Sequence, residues 1–154
     1  MDLVSPCHGV RTAASSEDSL PERLRALTAA TGTIVSHTSA AVLWGFPLPA
    51  ALERLVIIHL TSLPGRRSVR RKGVVGHQHA LEPEEITAGR RLVCTSPLRT
   101  WFDLAGIPGL DDLVIAGDSL LRRRNPLASL PLLDAYLAGR KGNPGYRVRC
   151  RPGP

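Results

Sequence analysis

The sequence predicts an α+β domain: a small mixed or antiparallel sheet of three to four strands, carrying a long basic hairpin and packed by four to five helices. Three observations lead there. Apolar residues recur at helical spacing in the first and last thirds of the chain, runs rich in β-branched residues occupy the middle, and Gly, Pro and Ser punctuate the boundaries. With 154 residues, 43% hydrophobic and 21% charged, the chain can bury a core without disulfides or a metal. It divides into a disordered head over residues 1–18, one domain over 19–138 and a disordered basic tail over 139–154, where Gly, Pro and Arg dominate.

Structure starts near Ser19. Ser19-Leu20-Pro21-Glu22 offers an N-cap, a first-turn proline and a Glu three residues on, and Leu20, Leu24 and Leu27 follow at helical spacing up to Gly32. Ile34 and Val35 form a short extended link. Ser36 then caps a helix from His37 to Trp44, closed by Gly45, and Phe46-Pro47-Leu48-Pro49 cannot continue it. From Arg54 to Thr61 the chain is apolar on both faces, which suits a central strand. A second strand covers Gly73 to Leu81, and the basic run between the two makes a long hairpin with its cations at the loop. After a turn at Ala88-Gly89-Arg90 comes a third extended piece, Arg91 to Thr95.

The last third is helical. Ser96 caps and Pro97 opens a helix whose apolar face is Leu98, Trp101, Phe102 and Ala105, stopped by Gly106 and Pro108. Another helix runs from Leu110 to Arg124 on a stripe of Leu110, Leu113, Val114, Gly117, Leu120 and Leu121. Its acids Asp111 and Asp112 fall in the first turn and Arg122 to Arg124 in the last, complementing the helix dipole. A short helix spans Leu130 to Leu137.

Charge narrows the function classes. The formal net charge of +7 is carried by 18 Arg and only 2 Lys, and all of the excess lies after residue 65. It concentrates at Arg66-Arg67-Ser68-Val69-Arg70-Arg71-Lys72, at Arg122 to Arg124 and in the tail from Arg140 to Arg151. Such a balance favours polyanionic partners, nucleic acid first. Of the three, only the run 66–72 belongs to the folded domain and lacks a local structural reason. Five cations in seven residues can bind duplex phosphates through Arg66, Arg67, Arg70, Arg71 and Lys72, or serve as a solvated loop that blocks edge-to-edge pairing. Six aromatics, mostly on helix faces, do not support stacking on single-stranded bases.

Apolar stretches such as Leu55 to Ile58 are too short to span a bilayer. The start of the chain has no secretory pattern, so a cytoplasmic location is expected. Cys7, Cys94 and Cys150 are odd in number and without a C-x-x-C, and read as free thiols.

Catalysis finds no motif. His77 and His79 share one sheet face, but no further ligand stands at motif spacing, so neither a metal site nor a cofactor is expected and the pair reads as ordinary sheet-face histidines. A nuclease needs grouped carboxylates, whereas Asp111-Asp112 and Glu84-Glu85 are explained by helix starts and solvated loops. Neither G-x-S-x-G nor a phosphate-binding glycine loop occurs.

Three stretches carry a resemblance: Ser36-His37-Thr38-Ser39-Ala40-Ala41-Val42-Leu43-Trp44-Gly45-Phe46-Pro47, then Gly73-Val74-Val75-Gly76-His77, then Val93 to Ala105 with its T-S-P-x-R-T-x-x-D-L-A pattern. Together they resemble the actinobacterial AbiEi-type antitoxins of type IV toxin–antitoxin systems over about residues 20–138. In that family the region is often preceded by a winged helix-turn-helix or followed by a domain similar to very-short-patch-repair endonucleases. Residues 1–18 are too short and polar for the first, and the chain after Gly139 does not continue into the second, so it looks like a truncated relative. The resemblance implies that Ser36, His37, Trp44, Thr95, Ser96, Pro97, Arg99 and Asp103 are family markers, or a surface for antitoxin action or interdomain contact. Arg99 and Asp103 also make a helical i, i+4 pair that needs no function.

The sequence therefore predicts a non-enzymatic antitoxin-like or regulatory domain that binds a protein partner, such as a cognate toxin, and the backbone of duplex DNA. The alternative is the non-catalytic N-terminal part of a truncated very-short-patch-repair-like endonuclease.

Overall fold

The computed structural model describes residues 3–7, 10–13, 19–50, 52, 57–89, 92–107 and 110–140. In chain order the elements are β1 Leu3–Cys7, β2 Val10–Ala13, α1 Leu20–Thr31, β3 Ile34–Val35, α2 His37–Trp44, β4 Ile58–Ser62, β5 Arg70–Arg71 and β6 Val74–Gln78. A 3₁₀ turn at Pro83–Glu85, β7 Ile86–Gly89, β8 Leu92–Thr95, α3 Pro97–Leu104, α4 Leu110–Leu120 and α5 Leu130–Ala138 follow. The α+β class holds. The sheet is larger than the expected three to four strands: six strands in the order β5-β6-β4-β3-β8-β7, with parallel and antiparallel neighbours mixed. β1 and β2 pair antiparallel in the stretch expected to be a disordered head, while the tail lies outside the described residues beyond Arg140.

The largest correction concerns the basic hairpin. β4 and β6 run parallel, with Ile58 opposite Val74 and Ser62 opposite Gln78, so no hairpin can join them. A parallel pair needs a connection that returns along the sheet. Residues 63–73 make that return: Arg70 and Arg71 form the edge strand β5, antiparallel to β6. Lys72-Gly73 then reverses the chain, with Gly73 at φ 76, a sign that only glycine adopts without steric cost.

Two cores hold the sheet and helices. Leu24 and Leu27 of α1 pack on Val35, Ile58, Leu60 and Leu92 of the sheet. On the helical side Phe46, Trp101, Leu104, Leu113, Leu120 and Leu133 form the second cluster. Trp44 packs against both, and its indole Nε1 donates to the Thr95 carbonyl at 2.9 Å.

Helix ends show which signals act. Gly32 and Gly45 close α1 and α2 in the left-handed conformation, and the Ser96 hydroxyl accepts from the Arg99 amide to start α3. Ser19 and Ser36 occupy N-cap positions without capping through their side chains; the Ser36 hydroxyl instead accepts from Thr61 Oγ1 at 2.8 Å. α4 ends at Leu120 rather than Arg124, so Arg122, Arg123 and Arg124 lie beyond the helix, exposed, and their expected place in its last turn is not taken. Within α4, Val114 is exposed and Ala116 takes the buried position. Among the described residues no helix is long and apolar enough to cross a membrane.

Candidate functional site

The basic run lies along one edge of the sheet instead of projecting as a finger. Ser62 Oγ donates to the Arg67 carbonyl at 3.2 Å and Gln78 Nε2 to the Arg66 carbonyl at 2.8 Å, fixing residues 66–67 beside the C-terminal ends of β4 and β6. Ser68 and Val69 then press on Gly76 of β6: a β-carbon there would overlap the Val69 carbonyl oxygen and stand 2.6 Å from Ser68 Oγ.

The five cations differ in what they do. Arg66 folds onto the end of α1, where a β-carbon on Gly32 would stand 2.6 Å from its Nη1, so it faces the carbonyl end of that helix dipole. Arg71 is half-buried on β5. Arg67, Arg70 and Lys72 are exposed and make no ion pair among the described residues.

A second constellation sits on the polar face of the sheet. Along β4, Ile58 and Leu60 turn to the α1 core while His59 and Thr61 turn the other way, as strand alternation requires. The parallel register pairs His59 with Val75, so His77 lies two residues along on the same face, and His59 Nδ1 stands 3.0 Å from His77 Nε2. His37, the first residue of α2, caps the pair: its ring stacks on that of His77 at 3.6 Å between centroids and 12° between planes. Its backbone is left-handed, with φ 51, a conformation disfavoured for a side-chain-bearing residue. The His79 ring is 6.2 Å from those of His37 and His77.

One ring nitrogen from each of His37, His59 and His77 falls within 4.8 Å of the others. Burial first, then the neighbouring histidines and Arg99, pushes the His37 imidazole down to about 2. Burial, then His59 and His79, brings His77 to about 4. His59 and His79 are lowered as well, chiefly by burial. The rings are therefore neutral at physiological pH, each with one donor and one lone-pair nitrogen, and the 4.0 Å approach of His37 Nδ1 to Asp103 Oδ2 is not an ion pair there.

Beside the histidines runs a buried ionic network. Arg99 Nε donates to Asp103 Oδ1 at 2.8 Å, and its Nη1 reaches both oxygens of Glu85 at 3.2 and 3.3 Å. Glu85 also accepts from Tyr136 Oη, Arg140 Nη2 and the Glu82 amide. Burial works to raise the Glu85 carboxyl, yet the hydrogen bonds from Tyr136 and Glu82 and the charges of Arg99 and Arg140 hold it below its usual value.

The residues expected to be family markers thus meet in space, mostly as parts of the interior. Ser36, His37, Thr95, Ser96, Arg99 and Asp103 are all buried, Pro97 opens α3 and Trp44 bonds to Thr95. Arg99 and Asp103 are 7% and 5% exposed, with the Arg99 guanidinium held between Asp103 and Glu85. Sequence reasoning missed Glu85, taken for a solvated loop acid although it is 3% exposed, and its partners Tyr136 and Arg140. It also missed His59, whose only signal is a histidine alternating with Ile58 and Leu60 in an apolar strand.

No protein-family model, no curated protein and no solved structure matches the chain.

Proposed function

We propose that the chain is a non-enzymatic, antitoxin-like or regulatory binding domain that grips the backbone of duplex nucleic acid along the β5 edge of its sheet and engages a protein partner. The observation that carries this is the line of exposed cations Arg67, Arg70 and Lys72 on a segment anchored at both ends to the sheet. The five residue steps from Arg67 to Lys72 reach at most about 17 Å, enough for contacts with successive phosphates of a backbone. Backbone contact of this kind is independent of base sequence. The partner part of the proposal draws on the family resemblance and on exposed apolar side chains, Val114 and Ile115 on α4 and Leu130 and Leu132 on α5.

Fluorescence anisotropy with a labelled DNA duplex over a salt series tests the nucleic-acid part. The R67S/R70S/K72S variant should bind more weakly and lose about 2.7 from the slope of log K against log salt, roughly 0.9 for each phosphate contact. Unchanged binding and slope would leave those cations the single task of shielding an edge strand. Co-expression with an adjacently encoded nucleotidyltransferase-like toxin tests the partner part: restored growth supports an antitoxin, and continued toxicity rejects it.

A further inference from the structure

The three histidines His37, His59 and His77 come from one helix start and two neighbouring strands, and a fold with no use for them has no reason to gather them. Four ligands around a tetrahedral zinc, each about 2.05 Å from the metal, stand roughly 3.3 Å apart. The 3.0 Å between His59 Nδ1 and His77 Nε2 is already on that scale, and the 4.8 Å limit for the set leaves about 1.5 Å to close by ring rotation. His37 brings the outer features of a ligand histidine: its Nδ1 lies 3.0 Å from Ser36 Oγ and 4.0 Å from an Asp103 oxygen, neighbours that fix ring orientation. Its left-handed backbone is the kind of strain that persists where the surroundings dictate a side chain's direction.

We propose that His37, His59 and His77 bind one divalent transition-metal ion of the zinc class through one ring nitrogen each, leaving a fourth position for solvent on the side of His79. An all-imidazole donor set suits zinc, nickel, copper or cobalt and excludes magnesium and calcium, which take oxygen ligands. The ion joins β4, β6 and α2, and the basic return segment is seated on the first two of these. None of residues 66–72 supplies a ligand, so the site stands or falls apart from the nucleic-acid proposal.

The test uses the full chain, stripped with a chelator and titrated with ZnCl₂ by calorimetry and with CoCl₂ by visible absorption. One equivalent of either ion per chain, the visible bands of four-coordinate cobalt and no binding of MgCl₂ are expected. Each of H59Q and H77Q should weaken zinc binding by roughly 100-fold or more, with the fold checked by circular dichroism. The wild-type chain gives a measurement free of folding concerns: long-range proton–nitrogen spectra of its imidazoles should show His37, His59 and His77 shifting with one equivalent of zinc. Absence of stoichiometric binding, shifts confined to His8, or full affinity in a folded H59Q or H77Q protein would overturn the assignment.

Discussion

Arg99 and Glu85 meet inside the protein, Nη1 of the one 3.2 and 3.3 Å from the two carboxylate oxygens of the other, with side chains only 9% and 4% exposed. Removing Arg99 takes a buried guanidinium from both Asp103 and Glu85 and leaves Glu85 to Arg140 and Tyr136. Arg99→Ala should therefore lower stability by about 3–5 kcal/mol, as breaking a buried pair does. Arg99→Lys should recover little of it, because a point ammonium cannot span Asp103 and Glu85 as the guanidinium fork does. Urea denaturation of the two variants checks both statements, and a stable Arg99→Lys protein would contradict the second.

The hydrogen bond from Tyr136 to Glu85 sets limits at both ends of the pH scale. The Glu85 carboxyl is held below its ordinary 4.5, so its contribution is complete above that pH and lost as pH falls towards its folded value. Burial, and then the bond to Glu85, raises the Tyr136 phenol above its ordinary 10.0. Above pH 10 the unfolded chain then gives up a proton that the folded one keeps, and stability declines as pH rises. Tyr136→Phe should cost about 1–2 kcal/mol at neutral pH and flatten the alkaline decline, measured by thermal melts between pH 7 and 11. An alkaline limb identical to wild type would refute the linkage.

Gly76 has no room for a side chain, because the return segment at Ser68 and Val69 lies directly on it. Gly76→Ala should destabilise by about 1–3 kcal/mol, the usual cost of overpacking, and displace β5 from β6. Amide hydrogen exchange should show residues 68–71 losing protection first. If exchange there stays as in wild type, the segment is held by something other than its seat on β6.

Cys94 is a buried strand residue whose thiol burial pushes up to about 11. Thiolate is the reactive form, so in a C7S/C150S background the folded chain should resist Ellman's reagent and react only as it unfolds. Rapid labelling under native conditions would show that β8 opens locally.

Much of the fold is legible in the residues. Gly32, Gly45 and the Ser96-Pro97 start carry local signals whose physics acts within one turn, and each marks the boundary it announces. β3 and β5 are two residues long, too short for any periodicity, and exist only because neighbours pair with them. The direction of β6 was equally hidden: a segment such as 63–73 can close a hairpin or return for a parallel strand, and the choice rests on contacts distant in sequence. That choice decides the histidine cluster, since His59 and His77 meet through the parallel register. Glu85 hid for a related reason: an acid beside Glu84 reads as solvated until α3 and α5 bring Arg99 and Arg140 to it.

The strand order bears on how the polypeptide can be divided. β3, near residue 35, is flanked by β4 on one side and by β8, near residue 94, on the other. A ribosome that has released residues up to Gln78 has delivered four strands of the sheet, but β3 still waits for its second neighbour. No cut between residues 36 and 92 yields a fragment with both neighbours of β3, so a split-protein design that breaks there separates β3 from one of the two strands that hold it.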